Sequence, residues 1–177
     1  MTQGERIMMG PEPFEIPERL EPLFWVLDEC AGITQRAEYH PEGDVLTHSI
    51  QAYRHASRES NDVDLILAAL LHDVGKISRR MGHEDLSVEL LDCHCSKKTL
   101  WLIKNHMRVH TWLNGEMRKL KKVTGLRKHV WFCDLIHLAR IDANSRKPGC
   151  KTEKCDRQQI AQHIIKLEKE QFYGEIR

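Results

Sequence analysis

Leu65-Ile66-Leu67-Ala68-Ala69-Leu70-Leu71-His72-Asp73-Val74-Gly75-Lys76 is the stretch on which the fold turns. From Leu65 to Leu71 it is apolar on every face of a helix, which describes a helix enclosed by others rather than one lying on a surface. Asp62 stands ahead of it as an N-cap, so the spacing predicts a helix from Val63 to about Ile77. Around that centre the apolar periodicity is helical almost throughout, and the alternating β-branched runs that build sheets are missing. The expected fold is therefore all-α, a single-domain helical bundle.

Toward the N-terminus, Pro17 opens a helix that carries Leu20, Leu23, Phe24 and Leu27 and ends near Gly32. Asp44 caps a second, with Val45, His48, Tyr53 and His55. Beyond the central helix, a short one around Leu86–Leu91 follows Gly82, and Ser96 caps a longer one from Lys97 to about Leu113, closed by Asn114-Gly115. A short basic helix up to Gly125 precedes a long one from Leu126 to about Ala143. Pro148 and Gly149 then separate off a last amphipathic helix with Ile160, Ile164, Ile165 and Leu167. Residues 1–15, with Met8, Met9, Gly10 and Pro11, are expected to be a flexible arm, leaving 16–172 as the folded domain.

A chain of 177 residues suits one domain, and 41% apolar and 30% charged residues with net charge +1 are globular rather than disordered or collagen-like. No run of about 18 apolar residues occurs, and the N-terminus is acidic and Pro-bearing, so neither membrane insertion nor secretion is expected. Six cysteines without a signal peptide read as free thiols of a reducing, cytoplasmic protein. The near-zero net charge hides a polarity. Residues 1–44 hold ten acids and three bases, whereas residues 104–128 hold eight bases, among them Lys119, Lys121 and Lys122, against Glu116 alone. Such a segment either solvates a helix face or attracts a phosphate-bearing ligand.

Polar residues at the close of an apolar helix cost several kcal/mol unless paired, so His72, Asp73 and Lys76 need a reason to be there. A metal ion is the simplest. Imidazole with carboxylate suits zinc, manganese, iron or nickel, and eleven histidines in one chain suggest that imidazole is being used.

These residues resemble the HD superfamily of metal-dependent phosphohydrolases, in which a His on one helix, a His-Asp pair on a second and an Asp on a late helix share a metal site. Here the pattern falls on His48 in Thr47-His48-Ser49, on His72-Asp73 and on Asp142 in Ala139-Arg140-Ile141-Asp142. The string from His40-Pro41-Glu42-Gly43-Asp44 to His48, continuing through Gly82-His83, is similar to the HD domain of some bacterial CCA-adding tRNA nucleotidyltransferases. The likeness covers roughly residues 38–146, and too few residues precede it for a nucleotidyltransferase domain to be expected. It implies an HD-type bundle with one or two divalent ions per chain (manganese, nickel, cobalt, iron, magnesium or zinc). His48, His72, Asp73 and Asp142 would hold the first. His83 and His106 would either hold a second, bridged by Asp73, or act as general acid and phosphate donors. Four ligands on one ion leave coordination positions open, as a catalytic rather than structural site requires.

Lys76, four residues after His72, can reach a phosphate in the same pocket, and Arg79, Arg80, Arg146 and His110 are further candidates to hold one. Asp73, Lys76, His83 and His106 are thus the candidate catalytic group. The other histidines (His40, His55, His94, His129, His137 and His163) read as exposed or satisfied, with His40 drawn in only by the resemblance. Trp101 and Trp112 read as core packing or as a base-stacking platform. Two functions follow. One is hydrolysis of a nucleotide or RNA-end phosphate ester by metal-activated water, as a phosphatase or 2′,3′-cyclic phosphodiesterase. The other is a non-catalytic, metal-stabilised helical module binding RNA or another polyanion. The oligomeric state is open.

Overall fold

The computed structural model describes residues 14–78, 82–117, 120–146, 148 and 156–175. Its α-helices are α1 (Glu21–Asp28), α2 (Val45–Glu59), α3 (Val63–Leu71), α4 (His83–Leu91), α5 (Lys97–Leu113), α6 (Leu120–Arg127), α7 (Phe132–Asn144) and α8 (Arg157–Glu175). The described residues form no strand; a lone antiparallel bridge joins Thr34 to Asp44. The all-α bundle expected from the periodicity is the observed fold. No helix among these residues is long and apolar enough to cross a membrane.

Every residue of α3 except Asp64 is buried, and α2, α5, α7 and α8 pack around it. Full burial of a Leu or Ile contributes about 1.5–3 kcal/mol, so this one helix anchors much of the core. The three predicted caps are in place. Asp44 accepts a hydrogen bond from the Thr47 amide, Asp62 from those of Asp64 and Leu65, and Ser96 from that of Thr99.

Boundaries differ from expectation in three places. The α-form of α3 ends at Leu71, not near Ile77, and Val74–Ile77 is a 3-10 turn. Ser87 is responsible: its Oγ accepts from the Gly75 amide (2.8 Å) and donates to the His72 carbonyl (3.2 Å), taking two groups that a continuing helix would use. The first helix is shorter than read, since Glu18–Leu20 is 3-10 and turns fill the chain from Glu29 to Gly32. Gly125 does not end the basic helix, because Leu126 is buried and holds α6 on the core through Arg127. The next helix starts at Phe132 rather than Leu126. Residues 1–13 of the expected N-terminal arm, Lys119 and Cys150 to Cys155 lie outside the described residues.

Between α1 and α2 the chain makes a tight excursion. Gln35 N–H donates to the Gly43 carbonyl (2.9 Å) and Val45 N–H to that of Ile33 (3.0 Å), closing a loop that brings Gln35, Tyr39, His40 and Glu42 over the start of α2. Gly43, at φ +107°, takes a backbone conformation that residues with a Cβ rarely adopt.

Candidate metal centre

Each candidate side chain is aimed by its place in a helix. His48 is fully buried in the first turn of α2, just after the Asp44 cap. His72 ends α3, and Asp73 leads out of it with φ −105° and ψ 2°, away from the helical path. His83 opens α4 behind Gly82, which sits at φ +85°. His106 and His110 are one turn apart on α5, and Asp142 lies in the last turn of α7. Gly75 makes the convergence possible. A Cβ there would stand 2.0 Å from the His83 carbonyl oxygen and 2.7 Å from the Ser87 amide, so only a glycine lets α4 approach so closely.

The donors gather in two sets around Asp73. In the first, His48 Nε2 is 3.3 Å from His72 Nε2 and 3.0 Å from Asp142 Oδ1, and Asp73 Oδ2 lies 3.5 Å from His72 Nε2 and 3.9 Å from His48 Nε2. In the second, His83 Nε2 is 3.1 Å from His106 Nε2, with Asp73 Oδ1 at 3.2 Å and 3.7 Å from them. The two oxygens of one carboxylate therefore face different imidazole pairs.

The donor chemistry fits a metal. His72 Nδ1 lies 3.0 Å from the Ala69 carbonyl and His106 Nδ1 2.6 Å from that of Ile103; a carbonyl only accepts, so both protons sit on Nδ1 and both Nε2 lone pairs face inward. His48 Nδ1 lies 2.7 Å from Glu42 Oε1, in close contact but off the line of a regular hydrogen bond. Lone pairs and carboxylate oxygens converging at 3–4 Å repel one another until a cation lies among them. The groups are able to hold a metal ion as His48, His72 and Asp73, and as Asp73, His83 and His106.

Charges around them are arranged accordingly. Burial opposes ionisation of Asp73, yet His72, His106, His83 and Lys76 hold its carboxyl well below the usual carboxylate range. Burial likewise opposes Asp142, which His110 and His48 keep ionised. Burial also works against a charged His48, but Asp142 and Glu42 hold its pKa up to about 9, while burial pushes His72 down to about 3. Lys76 Nζ donates to Asp73 Oδ2 and Gln35 Oε1, each at 2.6 Å. Arg146 Nη2 meets both oxygens of Asp142 at 3.0 Å, and His110 Nε2 lies 2.8 Å from Asp142 Oδ2.

A cleft of about 990 Å³ opens onto this cluster, reaching Asp73, Lys76, His83, His106, His110, Asp142 and Arg146. All the sequence-predicted site residues within the described parts are thus brought together; Arg79 and Arg80 lie outside the described residues. Three groups were missed. Gln35 and Glu42 were not singled out, and neither were Arg36 and Tyr39, which line the cleft. His40, set aside among the discounted histidines, lines the cleft and contacts Glu42. The rest of that set does lie elsewhere: His55 and His137 flank Glu59, His163 pairs with Tyr53, His129 stacks on Trp101, and His94 is exposed. Trp112 packs on Phe132, and neither Trp101 nor Trp112 lines the cleft, so packing is their observed role.

Comparison with known proteins places this geometry. A family model described as "HD domain" matches residues 45–141. A "Multifunctional CCA protein" of Burkholderia mallei (strain SAVP1) is 27% identical over 164 residues, covering 78% of this chain and 40% of that protein. A protein of the same name from Paraburkholderia phymatum is 30% identical over 140 residues, covering 68% of this chain and 34% of that protein. The chain thus spans at most 40% of the length of these curated relatives.

Proposed function

The chain belongs to the HD-domain family, and from that premise we propose that it is a metal-dependent phosphohydrolase acting on a nucleotide-type phosphate ester, as a phosphatase or a 2′,3′-cyclic phosphodiesterase. The observation that carries this reading is the Asp73 carboxylate, whose Oδ2 faces His72 and His48 while Oδ1 faces His83 and His106. We assign His48, His72, Asp73 and Asp142 to one divalent ion and Asp73, His83 and His106 to a second. Manganese, nickel, cobalt, iron, magnesium and zinc are all compatible with such nitrogen and oxygen donors. When bound, the ions supply the Lewis acidity that activates water and offsets charge on a phosphoryl oxygen.

The chain's own residues do the rest. Lys76, Arg146 and His110 border the cleft with donors that can pass from Asp73 and Asp142 to phosphoryl oxygens, and Arg79 and Arg80, next along the chain from Lys76, belong to the same proposed set. Buried carboxylates Asp73 and Asp142 keep the floor negative enough to attract cations, while Lys76 and Arg146 keep the rim positive enough for an anion. A cleft of about 990 Å³ is far larger than a phosphate and is at the upper end of small-ligand sites. Arg36 and Tyr39 on its outer wall supply a cation and an aromatic face suited to a nucleoside or an RNA end. The resemblance to the HD domain of CCA-adding enzymes favours the same substrate class.

The test is a screen of nucleoside monophosphates, 2′,3′-cyclic nucleotides and dinucleotides with each metal in turn. Turnover of a monoester or cyclic ester is the expected result. Saturating metal with no hydrolysis across the screen would favour the non-catalytic polyanion-binding module instead.

A further inference from the structure

We propose that Glu42 is the positioning residue that fixes His48 as a metal ligand, through a line running from the Glu42 carboxylate across the imidazole to the ion. The inference rests on the reading of His48 as a ligand. The Glu42 side chain is completely buried, and its Oε1 lies 2.7 Å from His48 Nδ1 and 2.9 Å from His40 Nδ1. Among the described residues its oxygens meet no Lys or Arg, and Oε2 has no hydrogen-bond partner at all. Its own backbone amide aside, imidazoles are the side-chain partners of this buried carboxylate, which is costly unless positive charge reaches it through one of them. On the far side of the His48 ring, Nε2 stands among His72, Asp142 and Asp73, so a dication there would lie across the ring from Glu42.

The backbone is built to hold this aim. Gly43 N–H donates to the His40 carbonyl (3.1 Å), Gly43 itself turns the chain at φ +107°, and Asp44 immediately caps α2, which seats Glu42 under the first turn that carries His48. A carboxylate behind a ligating imidazole fixes its tautomer and ring orientation and raises its basicity; losing such a partner typically weakens metal binding 10–100-fold. His40, Glu42 and His48 could instead hold an ion of their own, since their donor atoms lie within 4.8 Å of one another. That would strip the proton from His48 Nδ1 while Nε2 also ligates, and a neutral ring cannot do both.

The experiment measures metal affinity by chelator competition, metal count at saturation, and the visible spectrum of the cobalt-loaded full chain, for Glu42→Ala, Glu42→Gln, His40→Ala and His48→Ala. Glu42→Ala should bind about 10–100-fold more weakly with the wild-type metal count. Glu42→Gln, which keeps an acceptor for Nδ1 but not the charge, should fall between, with a shifted cobalt spectrum. His40→Ala should stay within about threefold of wild type, as a partner one step further out. Affinity within twofold of wild type in Glu42→Gln with an unchanged spectrum, while His48→Ala is strongly weakened, would overturn the role of Glu42 alone. Loss of one ion at saturation in both Glu42→Ala and His40→Ala would overturn it in favour of a third site. No effect of His48→Ala would overturn the ligand assignment and this inference together. The glutamine variant also carries the test if Glu42→Ala fails to fold.

Discussion

His48 Nε2 and His72 Nε2 stand 3.3 Å apart, each ring with its other nitrogen turned to an acceptor, Glu42 for one and the Ala69 carbonyl for the other. Asp142 and Glu42 favour a proton on the His48 ring, and a cation that displaces that proton would turn both Nε2 atoms into ligands. Asp73, immediately after His72, is the residue on which the proposed second ion depends, because its other oxygen faces His83 and His106.

Replacing Asp73 with Ala is expected to lower hydrolysis by at least about three orders of magnitude, since the nucleophile depends on the metal. His72→Ala and Asp142→Ala should behave alike. Steady-state rates with metal analysis on the same preparations check this. An Asp73→Ala variant that kept a tenth of the wild-type rate would contradict the assignment.

For His83→Ala and His106→Ala, bound metal should drop from about two ions per chain to about one, with activity lost at both positions. Elemental analysis of purified variants is the measurement. Unchanged metal content in both, with only the rate reduced, would mean that these rings donate to phosphate instead.

Metal uptake should be pH-dependent with a definite sign. Because Asp142 and Glu42 hold His48 up to about 9 against the effect of burial, below that pH an incoming ion must displace its proton. Apparent metal affinity should therefore rise from pH 6 toward 9, by at most about tenfold per pH unit for one proton. Chelator competition across that range checks it, and a flat profile would mean that metal binding displaces no proton from His48.

Gly75→Ala should damage the site without touching a ligand. A Cβ 2.0 Å from the His83 carbonyl forces α4 away, and overpacking against backbone costs about 1–3 kcal/mol. Thermal unfolding should show a fall of several degrees, and metal content should show weakened binding at the His83 and His106 pair. Wild-type values for both would mean that α4 adjusts freely and that the close approach is incidental.

What could be read ahead of the structure follows the range of the interactions involved. Asp44, Asp62 and Ser96 announced their helices because capping acts over three residues. His48, His72-Asp73 and Asp142 could be grouped only through their resemblance to the HD pattern, since nothing local to His48 or Asp142 joins them to His72 and Asp73. The end of α3 could not be read, because Ser87, twelve residues beyond Gly75 and fifteen beyond His72, takes the bonds of both. Glu42 was hidden for a related reason. An acid between Pro41 and Gly43 looks solvated until the loop closure from Gln35 to Gly43 buries it. Gly125 misled because a glycine weakens a helix by only about 1 kcal/mol, which the burial of Leu126 outweighs.

The most direct measurement strips the chain with a chelator, returns manganese or nickel in steps, and follows bound metal, helicity and hydrolysis of a 2′,3′-cyclic nucleotide and a nucleoside monophosphate together. Helicity should persist throughout, and turnover of at least one substrate should be absent at zero metal and rise as the ions bind. Hydrolysis that continued at zero metal, or two bound ions per chain with neither ester cleaved, would contradict a metal-dependent phosphohydrolase.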